Sequence, residues 1–140
     1  MMSKQYAQHG TYQITIENNR LTVVSNGPFN AETIKTYRHI AAKLRTELSA
    51  PWTQIAVMTG MPIFTPEAEA ELKRTVIDRQ SMGMVACAFV LEQAEGQSIT
   101  RRQMGRMYDE CNIPHVFAAN VAEANEWLDA FLADSQCQEE

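Results

Sequence analysis

Two short segments near the start of the chain alternate apolar and polar side chains residue by residue. They are TYQITIE at 11–17 and RLTVVSN at 20–26, and such alternation is typical of strands with one buried face. Asn18 and Asn19 lie between them, and asparagine tolerates the positive φ angles that a tight hairpin turn requires. The pattern therefore predicts an N-terminal antiparallel hairpin.

Apolar side chains then recur at helical spacing in four segments, and short apolar strands separate these segments. Each predicted helix begins near a residue that can cap it. The capping residues are Asn30, Thr65, Ser98 and Asn120. The predicted strands are TQIAVMT at 53–59, MVACAFVLE at 84–92 and HVFAA at 115–119. Because the strand at 84–92 is almost wholly apolar, we expect both of its faces to be covered.

The order of these elements is ββαβαβαβα, in which strands and helices alternate after the hairpin. Such alternation favours a largely parallel sheet with right-handed crossovers, to which the hairpin adds an antiparallel strand. The predicted fold class is therefore α/β, with a mixed, largely parallel sheet and four helices. We expect a single domain over residues 10–133, an N-terminal tail at 1–9 and a polar C-terminal tail at 134–140.

Composition and charge narrow the classes of function. A chain of 140 residues can bury a core in one domain without a disulfide or a metal. The net charge is -5 and the basic residues form no stripe with aromatic residues, so nucleic acid is not an expected partner. The longest apolar run, 84–91, is far shorter than the roughly 20 residues of a membrane helix, and residues 1–10 lack the apolar segment of a signal peptide. We expect a cytoplasmic protein with no integral membrane segment.

No residue pattern predicts catalysis, a metal or a cofactor. Cys87, Cys111 and Cys137 share no metal or redox spacing, and no histidine has a carboxylate or cysteine at ligand spacing. Cys111 and His115 could form a thiol and imidazole pair, but an asparagine and a proline interrupt the helix between them. Neither a Gly-rich phosphate-binding motif nor G-x-S-x-G occurs. The sequence therefore predicts a protein that is not an enzyme. It also predicts that Cys87, within the apolar run, is a small buried apolar residue.

The segment GMPIFTPEAEAEL at 60–72 joins the strand at 53–59 to the second helix. TPE within it is a good helix start, because it supplies a side-chain cap, a proline at the first position and a carboxylate near the positive end of the helix dipole. The same carboxylates argue against a phosphate site at this helix end. Met61, Ile63 and Phe64 precede the helix, and large apolar residues in a loop are either buried or part of a contact surface.

Four segments together resemble the bacterial SpoIIAA-like family of the STAS superfamily. They are GPFNAETIK, IAVMTGMPIFTPEAEAEL, the strand after Gly83 and the closing HVFAANVAEANEWL, and the resemblance covers residues 10–132. It implies a SpoIIAA/STAS-like fold and a regulatory role through protein–protein interaction. STAS domains of the anti-sigma-factor antagonist type carry an Asp-Ser-Ser-Gly motif at this turn, where a kinase phosphorylates a serine. With Gly60 as the anchor, the phosphorylated position falls on Glu67, which leaves Thr65 as the only hydroxyl and the candidate for phosphorylation.

The resemblance and the turn together lead to one hypothesis and one alternative. The hypothesis is a non-enzymatic STAS-like module that binds a protein partner or a second copy of the chain through the turn 60–67. Its candidate contact residues are Gly60, Met61, Ile63, Phe64, Thr65 and Glu67. The alternative is a protein that binds a small apolar, lipid-like ligand, since the family fold is related to that of the lipid-binding CRAL-TRIO domains. The residues that could line an adaptable pocket are Met58, Met61, Met82, Met84, Met104 and Met107.

Overall fold

The computed structural model describes residues 4–8, 12–26, 34–35, 38–39, 45–60, 64–94 and 96–138. Within these residues, six strands form one sheet and three α-helices pack against it. The strands are β1 (Lys4–Gln8), β2 (Tyr12–Glu17), β3 (Arg20–Asn26), β4 (Trp52–Gly60), β5 (Met84–Ala94) and β6 (His115–Ala118). The helices are α1 (Pro66–Ser81), α2 (Gln97–Glu110) and α3 (Val121–Gln138). The predicted α/β class is confirmed.

The strands lie side by side in the order in which they occur in the chain. β1, β2 and β3 pair antiparallel, whereas β3, β4, β5 and β6 pair parallel. The sheet is therefore mixed and largely parallel, as the alternation of strands and helices predicted.

The predicted hairpin is formed by β2 and β3. It turns at Asn18 and Asn19, whose φ angles are 54° and 60°. Positive φ at both central residues is characteristic of the type I′ turn, which fits the twist of the paired strands. The side chain of Asn19 also binds the chain before β4, since it accepts a hydrogen bond from the Ser49 N–H and donates one to the Ser49 carbonyl, both at 2.8 Å.

Strand β1 lies in residues that the sequence assigned to an N-terminal tail. It pairs with β2, with Lys4 opposite Ile16 and Gln8 opposite Tyr12. The segment KQYAQ contains one large apolar side chain, so it lacks the alternation by which a strand is recognised. Helix α3 likewise continues to Gln138, into residues that the sequence assigned to a C-terminal tail.

The first face of the sheet is covered by α1 and α2. We call the apolar residues between these helices and the sheet the first-face core. Its members include Ile14, Leu21, Trp52, Met58, Phe64, Ala68, Val76, Cys87, Phe89, Met104, Met107 and Tyr108. Burial of each large side chain of this kind stabilises the fold by roughly 1.5–3 kcal/mol. This core fixes α1 and α2 to the sheet.

The first of the four predicted helices lies largely outside the described residues. Helical backbone occurs at 34–35 and 38–39, and a short 3-10 turn spans Arg45–Glu47. Ile34, in the segment of this predicted helix, is 5% exposed and belongs to the first-face core. The described part of the chain thus contains three of the four predicted helices.

The second face of the sheet is covered by α3 over β4, β5 and β6, and we call the apolar residues there the second-face core. Its buried members are Ile55, Val57, Ala86, Ala88, Val90, Ala118, Ala124 and Leu128. Strand β5 contributes to both cores, because successive side chains point to opposite faces. The prediction that the apolar strand 84–92 has both faces covered is therefore confirmed.

Arg20 connects α3 to the other half of the sheet. It lies at the start of β3, and its side chain is only 12% exposed. Its guanidinium donates hydrogen bonds to Thr53 Oγ1 at 2.8 Å, to Asn125 Oδ1 at 2.6 Å and to Asp129 Oδ1 at 2.9 Å. One side chain thus joins β3, β4 and α3.

Candidate functional site

The candidate site is the turn between β4 and α1, at the carboxyl end of a parallel strand. Strand β4 ends at Gly60, which pairs with Ala94 of β5 and has a φ of 72°. Residues 61–63, which include the predicted contact residues Met61 and Ile63, lie outside the described residues. Phe64 follows and is 7% exposed, within the first-face core. The turn is therefore attached to the sheet at one end and to the core at the other.

Helix α1 begins as the sequence predicted. Thr65 has extended backbone, and its hydroxyl accepts a hydrogen bond from the Ala68 N–H at 3.1 Å. Pro66 occupies the first helical position, and the carboxylates of Glu67 and Glu69 lie in the first turn. These groups satisfy the positive end of the helix with the chain's own atoms. An anionic ligand would meet two carboxylates there.

The described surface at the end of the turn, from Thr65 to Glu67, is polar and acidic. Thr65, Pro66 and Glu67 are exposed to solvent, whereas Glu69 forms an ion pair with Arg106 of α2. Of the predicted contact residues, the structure therefore brings Thr65 and Glu67 together on the surface. Phe64 points into the core, so a substitution there would test folding and not surface contact.

The carboxyl ends of β3 and β4 place further polar groups beside the turn. The Thr59 hydroxyl donates a hydrogen bond to the Ser25 carbonyl at 3.0 Å, and the neighbouring Asn26 is exposed. No sequence motif marked these residues as part of a site. Their position at the ends of adjacent predicted strands could have indicated it, because α/β proteins commonly bind ligands at the carboxyl ends of parallel strands.

A buried polar network lies between α1, the sheet and α2, and the sequence analysis missed it. Gln54 is at its centre: its Oε1 accepts a hydrogen bond from Arg79 Nη1 at 2.7 Å, and its Nε2 lies 3.3 Å from Tyr108 Oη and 3.4 Å from Cys87 Sγ. All four side chains are buried. Arg79 follows Ala68, Leu72 and Val76 on the apolar stripe of α1, and this spacing could have indicated that it points inward.

Burial changes the acid–base properties of this network. It raises the pKa of the Cys87 thiol to about 11 and raises the pKa of Tyr108 well above its usual value. It lowers the pKa of Arg79 to about 10, so the guanidinium stays charged at neutral pH. A buried thiol with a raised pKa is a poor nucleophile, because the thiolate is the reactive form. The prediction that Cys87 is buried is confirmed.

The described ranges contain neither a cluster of metal ligands nor a helix that could span a membrane. No three histidine, cysteine, aspartate or glutamate residues there are placed to hold a metal ion. None of the helices described has the length and apolar composition needed to cross a membrane.

Comparisons of the chain with known protein families, with curated proteins and with solved structures find no match. The SpoIIAA-like resemblance therefore stays a prediction from the sequence. The fold itself defines the class of the protein as mixed α/β.

Proposed function

We propose that this protein is a non-enzymatic regulatory module that binds a protein partner through the turn 60–67 and the first turn of α1. One observation carries the proposal: Thr65, Pro66 and Glu67 are exposed at the capped start of α1, directly after Phe64, which is buried in the first-face core. A surface that is already ordered loses less conformational entropy when it binds.

The charge of the turn indicates the kind of partner. Glu67 is exposed, whereas the neighbouring Glu69 is paired with Arg106. An exposed carboxylate beside a proline favours a partner surface that offers a basic side chain, since opposite charges steer association and exclude wrong partners. The expected partner is therefore a protein with a basic contact patch.

The test compares two charge reversals at glutamates on different parts of the molecule. Glu67→Lys changes the proposed surface, and Glu126→Lys is the matched control, because Glu126 is exposed on α3 on the second face. Each protein is immobilised and exposed to an extract of the cells that produce it, and the captured proteins are identified and retested after purification. We expect wild type and Glu126→Lys to bind one common partner and Glu67→Lys to lose it. Equal binding by both variants would overturn the proposal.

The alternative is the small apolar-ligand protein, and the same preparation tests it. Four of the methionines that could line its pocket are buried in the first-face core at 1–4% exposed: Met58, Met84, Met104 and Met107. Native mass spectrometry of protein purified without denaturant distinguishes the two functions. A reproducible added mass would favour the ligand-binding function, and a mass equal to one or two bare chains would favour the interaction module.

Phosphorylation of Thr65 is the proposed means of regulating the turn. The Thr65 side chain is exposed although its oxygen caps α1. A phosphate there would add negative charge beside Glu67 and would strengthen binding to a basic patch. Phosphate incorporation in cell extract that is equal in wild type and Thr65→Ala would rule out this site.

A further inference from the structure

Strand β6 forms one edge of the sheet, and its outer backbone groups are open within the part of the chain that the structure describes. β6 pairs only with β5 there. The Pro114 carbonyl accepts a hydrogen bond from the Cys87 N–H at 3.1 Å, so it points toward β5. Because the C=O and N–H of a trans peptide point in opposite directions, the N–H of His115 points away from the sheet. By the same alternation, the N–H and C=O groups of His115 and Phe117 face outward.

Aromatic side chains flank this edge on the first face. Phe117 stacks on Phe89 with ring centroids 5.0 Å apart, and the His115 ring lies beside it at 6.0 Å. The guanidinium of Arg101 lies 5.0 Å from the centre of the Phe117 ring. The outer backbone of β6 is thus bordered by rings and one exposed cation.

Apolar side chains flank the edge on the second face as well. Arg20 of β3 binds Asn125 and Asp129, which places that flank of α3 toward β3. At about 100° per residue, Trp127 and Phe131 project from the opposite flank, toward β6. These two rings stack with centroids 5.8 Å apart and pack, half-buried, with Val116 against the second-face core.

The charges on α2 have opposite signs at the two ends of β6. Arg101, Gly105 and Asp109 are four residues apart and therefore form one stripe on the helix. Arg101 lies over Phe117 at the carboxyl end of β6, whereas Asp109 Oδ1 lies 4.0 Å from His115 Nδ1 at the amino end. Gly105, between them, faces the chain's own His115, since a Cβ there would lie 3.8 Å from His115 Nε2.

We propose that β6 pairs antiparallel with β6 of a second copy of this chain, around a two-fold axis at Val116. The outward groups favour this register, because it pairs His115 of each copy with Phe117 of the other and so uses the outward groups of both residues. With the axis at His115, Phe117 would instead face Ile113, whose N–H is already bonded to the Tyr108 carbonyl. Val116 then lies opposite Val116 as a non-hydrogen-bonded pair. The pairing joins the two six-stranded sheets into one sheet of twelve strands.

The charge pattern favours a second copy in this orientation over any other occupant. An antiparallel pairing reverses the stripe on α2, so Arg101 of each copy faces Asp109 of the other. A parallel pairing would place like charges together, and it would not close, since only a two-fold contact buries the same surface on both copies. The interface is self-complementary in hydrogen bonds, in charge and in its paired apolar residues.

A disulfide trap tests the register. Val116→Cys, with Cys111 and Cys137 replaced by serine, places two thiols within bonding distance across the axis, because non-hydrogen-bonded pairs bring Cα atoms to about 4.5 Å. Val24→Cys in the same background is the matched control, since Val24 is 39% exposed on the second face of β3. Under mild oxidation we expect a covalent dimer for Val116→Cys only. No dimer, or equal yields from both variants, would overturn the pairing.

A charge exchange tests the pairing of α2 with its copy. We expect light scattering to give twice the 15.8 kDa chain mass for wild type. Arg101→Asp or Asp109→Arg alone is expected to weaken the dimer about tenfold or more, and the double variant to restore it, because only the double variant regains opposite charges. Arg102→Asp, an adjacent exposed reversal on another side of α2, is the control and is expected to leave the dimer intact. Circular dichroism and thermal melts verify that each variant folds.

A monomeric wild type, or single reversals that behave like the control, would overturn the proposal. The dimer does not depend on the turn 60–67. Glu67→Lys is therefore expected to remain dimeric, so failure of the partner test and failure of the dimer test are distinguishable.

Discussion

Two helix starts show how single residues determine the ends of helices in this chain. Thr65 caps α1 with its hydroxyl, as its position predicted. Ser98, predicted to cap the next helix, does not: the N-cap of α2 is Gly96, whose carbonyl accepts hydrogen bonds from the Ile99 and Thr100 N–H groups. Gly96 has a φ of 65°, a conformation that glycine adopts without cost. The helix therefore begins before the serine that resembles a cap.

We expect Thr65→Ala to lower the free energy of unfolding by about 1 kcal/mol, because the Ala68 N–H loses its acceptor. Ser98→Ala removes a similar hydroxyl that makes no cap bond, and we expect a change within about 0.5 kcal/mol. Chemical denaturation of both variants beside wild type measures the difference. Equal losses of unfolding free energy in the two variants would mean that the hydrogen bond from the Ala68 N–H to the Thr65 hydroxyl does not stabilise the fold.

Gly83 and Gly96 both have positive φ, but their surroundings differ. A Cβ at Gly83 would lie 2.3 Å from the Ala50 Cβ, whereas one at Gly96 would have no atom of the described residues within 4 Å beyond its chain neighbours. Gly83 has a φ of 111° and Gly96 a φ of 65°. An alanine at Gly96 would be held in the left-handed conformation, which costs roughly 1–2 kcal/mol. We expect Gly83→Ala to be the more destabilising by at least about 1 kcal/mol, because backbone must also move. Thermal melts of the two variants test the order.

At the scale of elements, local signals predicted most of the fold. Asn18 and Asn19 marked the hairpin, and helical spacing marked α1, α2 and α3. Strand β1 was missed because its stability comes from pairing with β2, which no local pattern in KQYAQ records. In such a segment, pairing with a neighbouring strand determines the structure more than local propensity does.

Arg20 offers a test of how α3 is held. Its guanidinium makes three side-chain hydrogen bonds in a part-buried position, and a lysine ammonium cannot reproduce their planar arrangement. We expect Arg20→Lys to lower the free energy of unfolding by about 1–2 kcal/mol. Lys73→Ala, which breaks an ion pair with Glu110 that is about half exposed, is the control and is expected to cost less than about 1 kcal/mol. Denaturant titration that ranks the two variants in the reverse order would contradict this role for Arg20.

At the scale of the whole molecule, the sequence predicted the α/β class, the parallel half of the sheet and the start of α1. It did not predict the buried network, because whether Gln54 and Arg79 meet depends on how α1 lies across β4. Nor did it decide whether Phe64 is buried, since an apolar residue in a loop is compatible with both a core and a contact surface. Long-range packing settles both questions.

The buried polar network around Gln54 makes the free energy of unfolding vary with pH in the alkaline range. The folded pKa of Cys87 is raised from the ordinary 9.0 to about 11, so its contribution is complete below pH 9 and is lost as pH rises through about 11. Tyr108 acts in the same direction, whereas Arg79, whose pKa is lowered to about 10, acts in the opposite direction above that value. We expect the free energy of unfolding to fall between about pH 9 and 10, and to fall less in Cys87→Ala. Urea titrations at each pH measure both slopes, and parallel slopes would exclude Cys87 as a cause.

The strands lie in the sheet in the same order as in the chain, and this has a consequence for folding during translation. As the chain leaves the ribosome, each strand can add to the edge of the strands already made, without a later segment inserting between them. The second face is different, because among the described residues its cover is Val121–Gln138, the last element to emerge. A chain that stalls before Val121 would expose Ile55, Val57 and Val90, and such a stalled chain is a natural client for a ribosome-associated chaperone.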